Sequence, residues 1–396
     1  MRFTWIFIIF LIISSQVCLG QTKRAMKSYR KGITEIYSQD KNLVKAESHL
    51  LTAIRISPNY SDAYMALGDL YLKIGETDKA LTKYRIGAER GSEREGYFKL
   101  GKLALDIGSY PIAVEAFNSY LLIDKLPKIK RQAAIKLLED SKFGSWAISN
   151  PNNLEPIRID RSKEGENIEG SNFELGLNFV KNNHEYPESY FFPSISGDDS
   201  TLYFTGRNIL RPPFDENIYS VKRINQRQWS KPIMVSGNIN TELNEGAVSV
   251  QGDQKKMVLA ACDREDGFGS CDIYFSSSSA GIWSKAKNIG LEINTSQWET
   301  QPCLSADGQY LFFVRDAKKR GSNSNIWMSR WDGKTWSRAK MLPVEINGSG
   351  DEFSPFLHAD GKTLYFASNS HVGMGGLDLF KTTWAQDGTW SAPENL

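Results

Sequence analysis

An α+β multidomain fold, with an α-helical repeat array ahead of an all-β repeat domain, is predicted by two recurrences and the break between them. Small residues return at helical spacing from Ala25 to Asp124, and short apolar-aromatic runs return about every 54 residues from Tyr190 to Leu396. From Pro151 to Asn172 neither period is present. The first recurrence calls for packed helix pairs and the second for small sheets that need neighbours.

Met1-Arg2 and the apolar run Trp5 to Ile13 form a charged start and a hydrophobic stretch too short to span a bilayer comfortably. Ser14-Ser15-Gln16 and Gly20 follow, so residues 1–20 read as a signal peptide cut before Gln21. Cys18 offers lipoprotein processing as the alternative, with Val17 where that enzyme wants a small residue. The expectation is export, with no transmembrane span in the remaining chain. Charges nearly cancel at +2 over 396 residues, which implies neither a nucleic-acid footprint nor a polybasic membrane patch.

Residues 21–149 form the expected helical domain. Ala46, Ala80 and Ala113 stand 34 and 33 residues apart, each followed four residues later by Leu50, Tyr84 or Phe117. Ahead of them come Tyr64-x-x-Leu67-Gly68-x-x-Tyr71 and Tyr97-x-x-Leu100-Gly101-x-x-Ala104, and Pro58 closes the first unit. The pattern resembles the tetratricopeptide repeat, in which small residues let two helices approach and large ones fill the gap. Two copies match well and the first is degenerate in its leading helix, Arg30 to Tyr37; a helix from Lys130 to Phe143 caps the array. A groove for a protein segment is expected on the face opposite the packing residues, at Met65, Asp69, Phe98 and Lys102, with an ordinary solvated face as the bland alternative.

Residues 150–172 read as a linker, rich in charge, Pro, Asn and Gly. Residues 173–396 then repeat one pattern four times. Strand openings are Pro193-Ser194-Ile195, Ala247-Val248-Ser249, Pro302-Cys303-Leu304 and Pro355-Phe356-Leu357. Turns follow at Asp198-Asp199, Gly252-Asp253, Asp307-Gly308 and Asp360-Gly361, where Asp-Gly supplies the positive φ of a tight hairpin. Second strands begin at Leu202, Met257, Leu311 and Leu364, third strands at Asn217, Asp272, Asn325 and Asp378, and Trp229, Trp283, Trp336 and Trp390 mark a fourth. Four short antiparallel strands per repeat describe a propeller with four recognisable blades, whose aromatic faces bury one another. Leu175 to Val180 looks like the tail that follows each tryptophan. Either it completes the last blade and closes the ring, or more blades once followed residue 396.

Beyond the signal only Cys262, Cys271 and Cys303 remain. Cys262 ends the second strand of blade two and Cys271 begins the third, which allows a cross-strand disulfide or two separate half-buried thiols.

Catalytic signatures are absent: there is no G-x-S-x-G, H-E-x-x-H, Walker loop or G-x-G-x-x-G. His49, His184, His358 and His371 show no metal-ligand spacing, and Gly373-x-Gly375-Gly376 joins two strands and opens no helix. Glu245, Glu299 and Glu352 recur before the innermost strands, where they would ring the mouth of a central channel. Recurrence in every blade favours a structural task, and neither cofactor nor metal is expected.

The order of signal, helical repeats and blades reading Phe-Ser-Pro-x-x-x-x-Asp-Gly-x-x-Leu-Tyr-Phe-x-Ser (Phe353 to Ser368), with Gly-Gly-Leu-Asp-Leu-Phe (Gly375 to Phe380), resembles the TolB-like (WD-like) propeller repeat proteins of Bacteroidetes. That family usually ends in an OmpA-type peptidoglycan-binding domain, which this sequence does not contain. The resemblance implies a non-enzymatic scaffold of the periplasm, associated with the outer membrane, that binds protein partners of the envelope, as in a type IX secretion complex. Peptidoglycan binding would need the missing domain. The competing reading is a propeller that binds envelope glycans or cleaves them as a hydrolase or lyase. A small-ligand sensor is a third.

Overall fold

The structure, a computed structural model, describes residues 23–38, 42–91, 95–150, 189–207, 215–225, 228–316 and 323–396. The expected signal peptide, the expected linker from residue 151 onward, the segment at Leu175 expected to resemble a blade tail and His184 lie outside the described residues. Two compact units are present, Met1–Glu155 with Val372–Gly376, and Pro156–His371 with Leu377–Leu396.

Seven helices make up the described part of the first unit: α1 (residues 23–37), α2 (Leu43–Ile56), α3 (Ser61–Lys73), α4 (Thr77–Arg90), α5 (Gly96–Asp106), α6 (Tyr110–Leu121) and α7 (Lys128–Ser149). Ala46, Ala80 and Ala113 are fully buried at the helix crossings. The glycines explain how close those crossings are. A Cβ on Gly68 would lie 2.5 Å from the Tyr84 ring, and one on Gly101 would lie 2.9 Å from Phe117. Gly32 meets Leu50 in the same way at 2.8 Å, so the leading helix of the first repeat keeps the packing device and begins earlier than the expected Arg30. Hydroxyls tie neighbouring helices together: Tyr71 donates to Glu47 of the preceding repeat at 2.6 Å, and Tyr84 donates to Asp69 of its own repeat at 2.5 Å. The terminal helix α7 outruns its expected end at Phe143, because Gly144 and Ala147 are also buried, Gly144 beneath the Tyr110 ring.

The second unit holds four antiparallel blades. Blade one has β1 (Ser189–Ile195), β2 (Thr201–Arg207), β3 (Glu216–Asn225), β4 (Gln228–Trp229) and β5 (Ile233–Met234). Blade two has β6 (Glu245–Val250), β7 (Lys256–Cys262), β8 (Cys271–Ser279), β9 (Ile282–Trp283) and β10 (Lys287–Asn288). Blade three has β11 (Trp298–Leu304), β12 (Tyr310–Asp316), β13 (Ser324–Arg330) and β14 (Lys340–Met341). Blade four has β15 (Glu352–Leu357), β16 (Thr363–Ser368), β17 (Asp378–Thr383) and β18 (Glu394–Asn395). A parallel bridge from Trp298 to Cys271 joins blades two and three.

The fourth strand is split in every blade, and the serine after each tryptophan shows why. Ser230, Ser284, Ser337 and Ser391 each accept a third-strand N–H on the hydroxyl, from Lys222, Ser277, Arg330 and Thr383. Their own N–H groups return to the carbonyls of the same four residues. A side chain thus stands in for the next rung of the ladder, and the chain turns before pairing again at β5, β10, β14 or β18.

Left-handed residues recur where the sequence pattern alone gave no sign. Phe192, Ala247, Gln301 and Ser354 all have positive φ inside the innermost strand, and the strand register shifts there in each blade. These are β-bulges, each costing about 1–2 kcal/mol of backbone preference. Neighbouring blades satisfy part of the freed backbone: Ala247 N–H reaches Thr205 Oγ1 at 2.9 Å, and Ser354 N–H reaches Gln301 Oε1 at 2.6 Å. The hairpin turns need one correction. Their left-handed residues are Asp199, Gln254, Gly308 and Gly361, so in blade two the turn sits one residue later than Gly252-Asp253.

Interblade cores confirm stacked faces. Tyr203 and Ile218 of blade one pack with Val250, Met257 and Trp283 of blade two, and Phe312 and Ile326 of blade three pack with Leu357, Phe366 and Phe380 of blade four. Trp283 is buried, while Trp229, Trp336 and Trp390 are half-buried at the outer edge.

Candidate functional site

The four expected groove residues lie on α3 and α5, and the structure places them unequally. Met65 is partly buried against the helical core, and Phe98 packs on Tyr120 and Phe117 with ring centroids 5.0 and 5.9 Å away. Both are spent largely on packing. Asp69 bridges the two helices by accepting from Lys99 Nζ at 2.8 Å and from the Tyr84 hydroxyl. Burial first, and then that hydrogen bond, pushes the Tyr84 phenol upward, which keeps it a donor. Lys102 is exposed.

A second surface of the helical unit escaped the sequence reading. A groove of about 670 Å³ runs along α1 and is lined by Lys23, Lys27, Arg30 and Lys31, with Glu35 and the α2 residue His49 beside them. None of the four cations forms a salt bridge to a described carboxylate. Near-neutral charge over the whole chain concealed this local concentration. The signal was present in the spacing, since positions 23, 27, 30 and 31 return to one helix face.

In the blades, the recurrent acids are structural groups. Asp198 accepts the Ser196 hydroxyl at 2.6 Å and the Ser200 N–H at 3.0 Å, and Asp307 repeats this with Ser305 and Gln309. Glu245, Glu299 and Glu352 are fully buried, so they do not ring a channel mouth. Thr241 and Thr295 donate to the first two, and Arg264 and Arg315 neutralise them at 2.9 and 2.7 Å. Burial pushes the Glu299 carboxyl up and lowers Arg315, each partly restored by the other. Cys262 and Cys271 are joined by a disulfide, while Cys303 is a buried free thiol. Among the described residues no group of three His, Cys, Asp or Glu side chains could hold a metal ion, and no helix is long and apolar enough to cross a membrane.

Residues 49–82 match the tetratricopeptide repeat family. That span takes in the end of α2, all of α3 and the start of α4. No curated protein matches the sequence. Among solved structures, the chain is similar to TolB from Acinetobacter baumannii at 17% identity, covering 52% of this chain and 43% of that one, with a TM-score of 0.34. MamA protein is similar at 18% identity over 33% of this chain and 68% of its own, with a TM-score of 0.27. An α-L-arabinofuranosidase from Lactobacillus brevis aligns at 14% identity over 51% and 74%, with a TM-score of 0.35. This chain therefore spans less than half of the TolB chain.

Proposed function

We propose that this chain is a non-enzymatic interaction scaffold of the cell envelope, exported and associated with the outer membrane, and that its helical repeats hold a segment of one protein while its blades present a rigid face to another. The tetratricopeptide match at residues 49–82 supports protein binding, and the resemblance to envelope proteins such as PorE supports a place in a type IX secretion assembly. The observation that carries the binding mode is the α1 groove, where four cations face one carboxylate. A groove of one sign selects a segment of the other, so the partner contributes an acidic stretch. Positioning is the whole mechanism, with no bond made or broken.

The test is an affinity pull-down of the tagged chain from crosslinked envelopes of the native organism, read by mass spectrometry, beside the full chain carrying Lys27→Glu, Arg30→Glu and Lys31→Glu. Outer-membrane or secretion proteins captured by the first and lost from the second support the reading. Equal capture by both moves the binding surface away from α1. If neither retains a protein, the scaffold reading is abandoned.

A further inference from the structure

The three buried glutamates that open the innermost strands do not sit in equivalent surroundings. In blade two, Arg264 donates to Glu245 at 2.9 Å and to the Ile239 carbonyl at 2.8 Å, with its guanidinium 4.6 Å above the Tyr274 ring. Blade three repeats the arrangement: Arg315 donates to Glu299 at 2.7 Å and to the Ile293 carbonyl at 2.6 Å, 4.1 Å above Trp327. Each clamp thus has a carboxylate, a carbonyl and an aromatic face around one permanent cation.

Blade four keeps the acid and loses the arginine. In the strand register Ser368 lies opposite Glu352 where Arg315 lies opposite Glu299, and Gly348 stands where Thr295 does. The hydroxyls of Ser368 and Ser370 donate to Glu352 Oε1, while Oε2 is buried without a partner. The other two arginine contacts are taken by His371. Its Nε2 donates to the Ile346 carbonyl at 2.8 Å, and its ring packs 5.2 Å from Phe380 and 5.7 Å from Phe366. Ile346 and Phe380 occupy the places of Ile293 and Trp327.

We propose that blade four carries a proton-operated form of the clamp, with His371 and Glu352 replacing a permanently charged arginine and its carboxylate. Guanidinium stays charged at every accessible pH, whereas imidazole changes charge near neutrality. A buried carboxylate with no fixed cation is costly, and a proton relieves it from either side. Protonating Glu352 removes the charge, and protonating His371 at Nδ1 supplies the cation. Both act in one direction, so acidification tightens the corner and alkalinisation loosens it.

The surroundings of the imidazole agree. From β16 and β17 it meets the apolar rings Phe366 and Phe380, and from β15 the facing charge is Glu352. Asp351, next to it, accepts the Ser324 N–H, and Asp378 lies opposite Ser368. Burial pushes the Glu352 carboxyl upward, opposed by Ser370, Ser368, Gly348 and His371. A carboxyl raised in the folded state binds its proton more tightly there than in the unfolded chain. Its contribution is therefore favourable at low pH and is lost as pH rises through the raised value.

The experiment is thermal unfolding of the full chain from about pH 5 to pH 8 for wild type, His371→Arg, Glu352→Gln and, as a control, Glu265→Gln at an exposed loop position. Wild type and the control are expected to lose about 2–4 °C across that window relative to the two blade-four variants, whose slopes flatten. An unchanged slope in Glu352→Gln overturns the proposal. Should a variant fail to fold, the imidazole resonances of wild type decide: His371 titrating in step with the loss of stability upholds the clamp, and one fixed protonation state throughout overturns it.

Discussion

Single side chains set the distance between helices in the first unit, and glycine is the residue that permits it. Gly68→Ala places a methyl group 2.5 Å from the Tyr84 ring, which must move although Tyr84 is buried and bonded to Asp69. Overpacking of this kind costs about 1–3 kcal/mol, more than the helix propensity that alanine adds, so urea unfolding should show the variant less stable. In the blades the sensitive residues are charged. Arg315→Met leaves Glu299 buried and uncompensated, with an expected loss of about 3–5 kcal/mol, while replacing both partners by apolar residues costs much less. A double-mutant cycle in urea tests this, and a double variant as unstable as Arg315→Met alone would refute it. Asp198 responds to acid. Hydrogen bonds from Ser196 and Ser200 lower its carboxyl to about 2, so its contribution is complete above the ordinary value of 3.8 and is lost as pH falls toward about 2. Asp198→Asn should remove that part of the acid-unfolding slope.

At the scale of elements, much of the architecture is legible in the sequence because it repeats. Small residues at positions 46, 80 and 113 return as buried crossings, and the strand openings return as β1, β6, β11 and β15. The features that escaped are those that residue type does not encode. The bulge residues are Phe192, Ala247, Gln301 and Ser354, four unrelated side chains sharing one backbone angle, so no residue type marks them. Asn240, Asn294 and Asn347 escaped for another reason. Each holds both the N–H and the carbonyl of a buried isoleucine in the third strand, a task visible only once the strand is in place. Asn294→Ala leaves the Ile273 N–H buried and unpaired, its carbonyl keeping only the Ile289 N–H, and should lower stability by about 1–3 kcal/mol in thermal or urea unfolding. Of the expected groove residues, Lys102 is exposed and Asp69 is bonded to Lys99 and Tyr84, while Met65 and Phe98 are drawn into packing; the cations of α1 were hidden by a balanced total charge.

The whole molecule joins two repeat systems with opposite logic. Helix pairs add along a line, each leaning on the next, whereas blades share faces and hand hydrogen bonds forward. Val250 N–H bonds Ser194, Leu304 N–H bonds Ser249, and Leu357 N–H bonds Cys303, so each blade finishes the innermost strand of the one after it. At the fourth position stands Phe356, 55% exposed, which cannot accept such a bond. The series of forward bonds stops there among the described residues. The disulfide of blade two adds a different kind of continuity. Cys262 and Cys271 enclose the segment Asp263 to Ser270, in which Glu265 and Asp266 are exposed to solvent. A protease that cuts there would sever the polypeptide without releasing a fragment, and the wound would stay invisible on a gel until reductant was added.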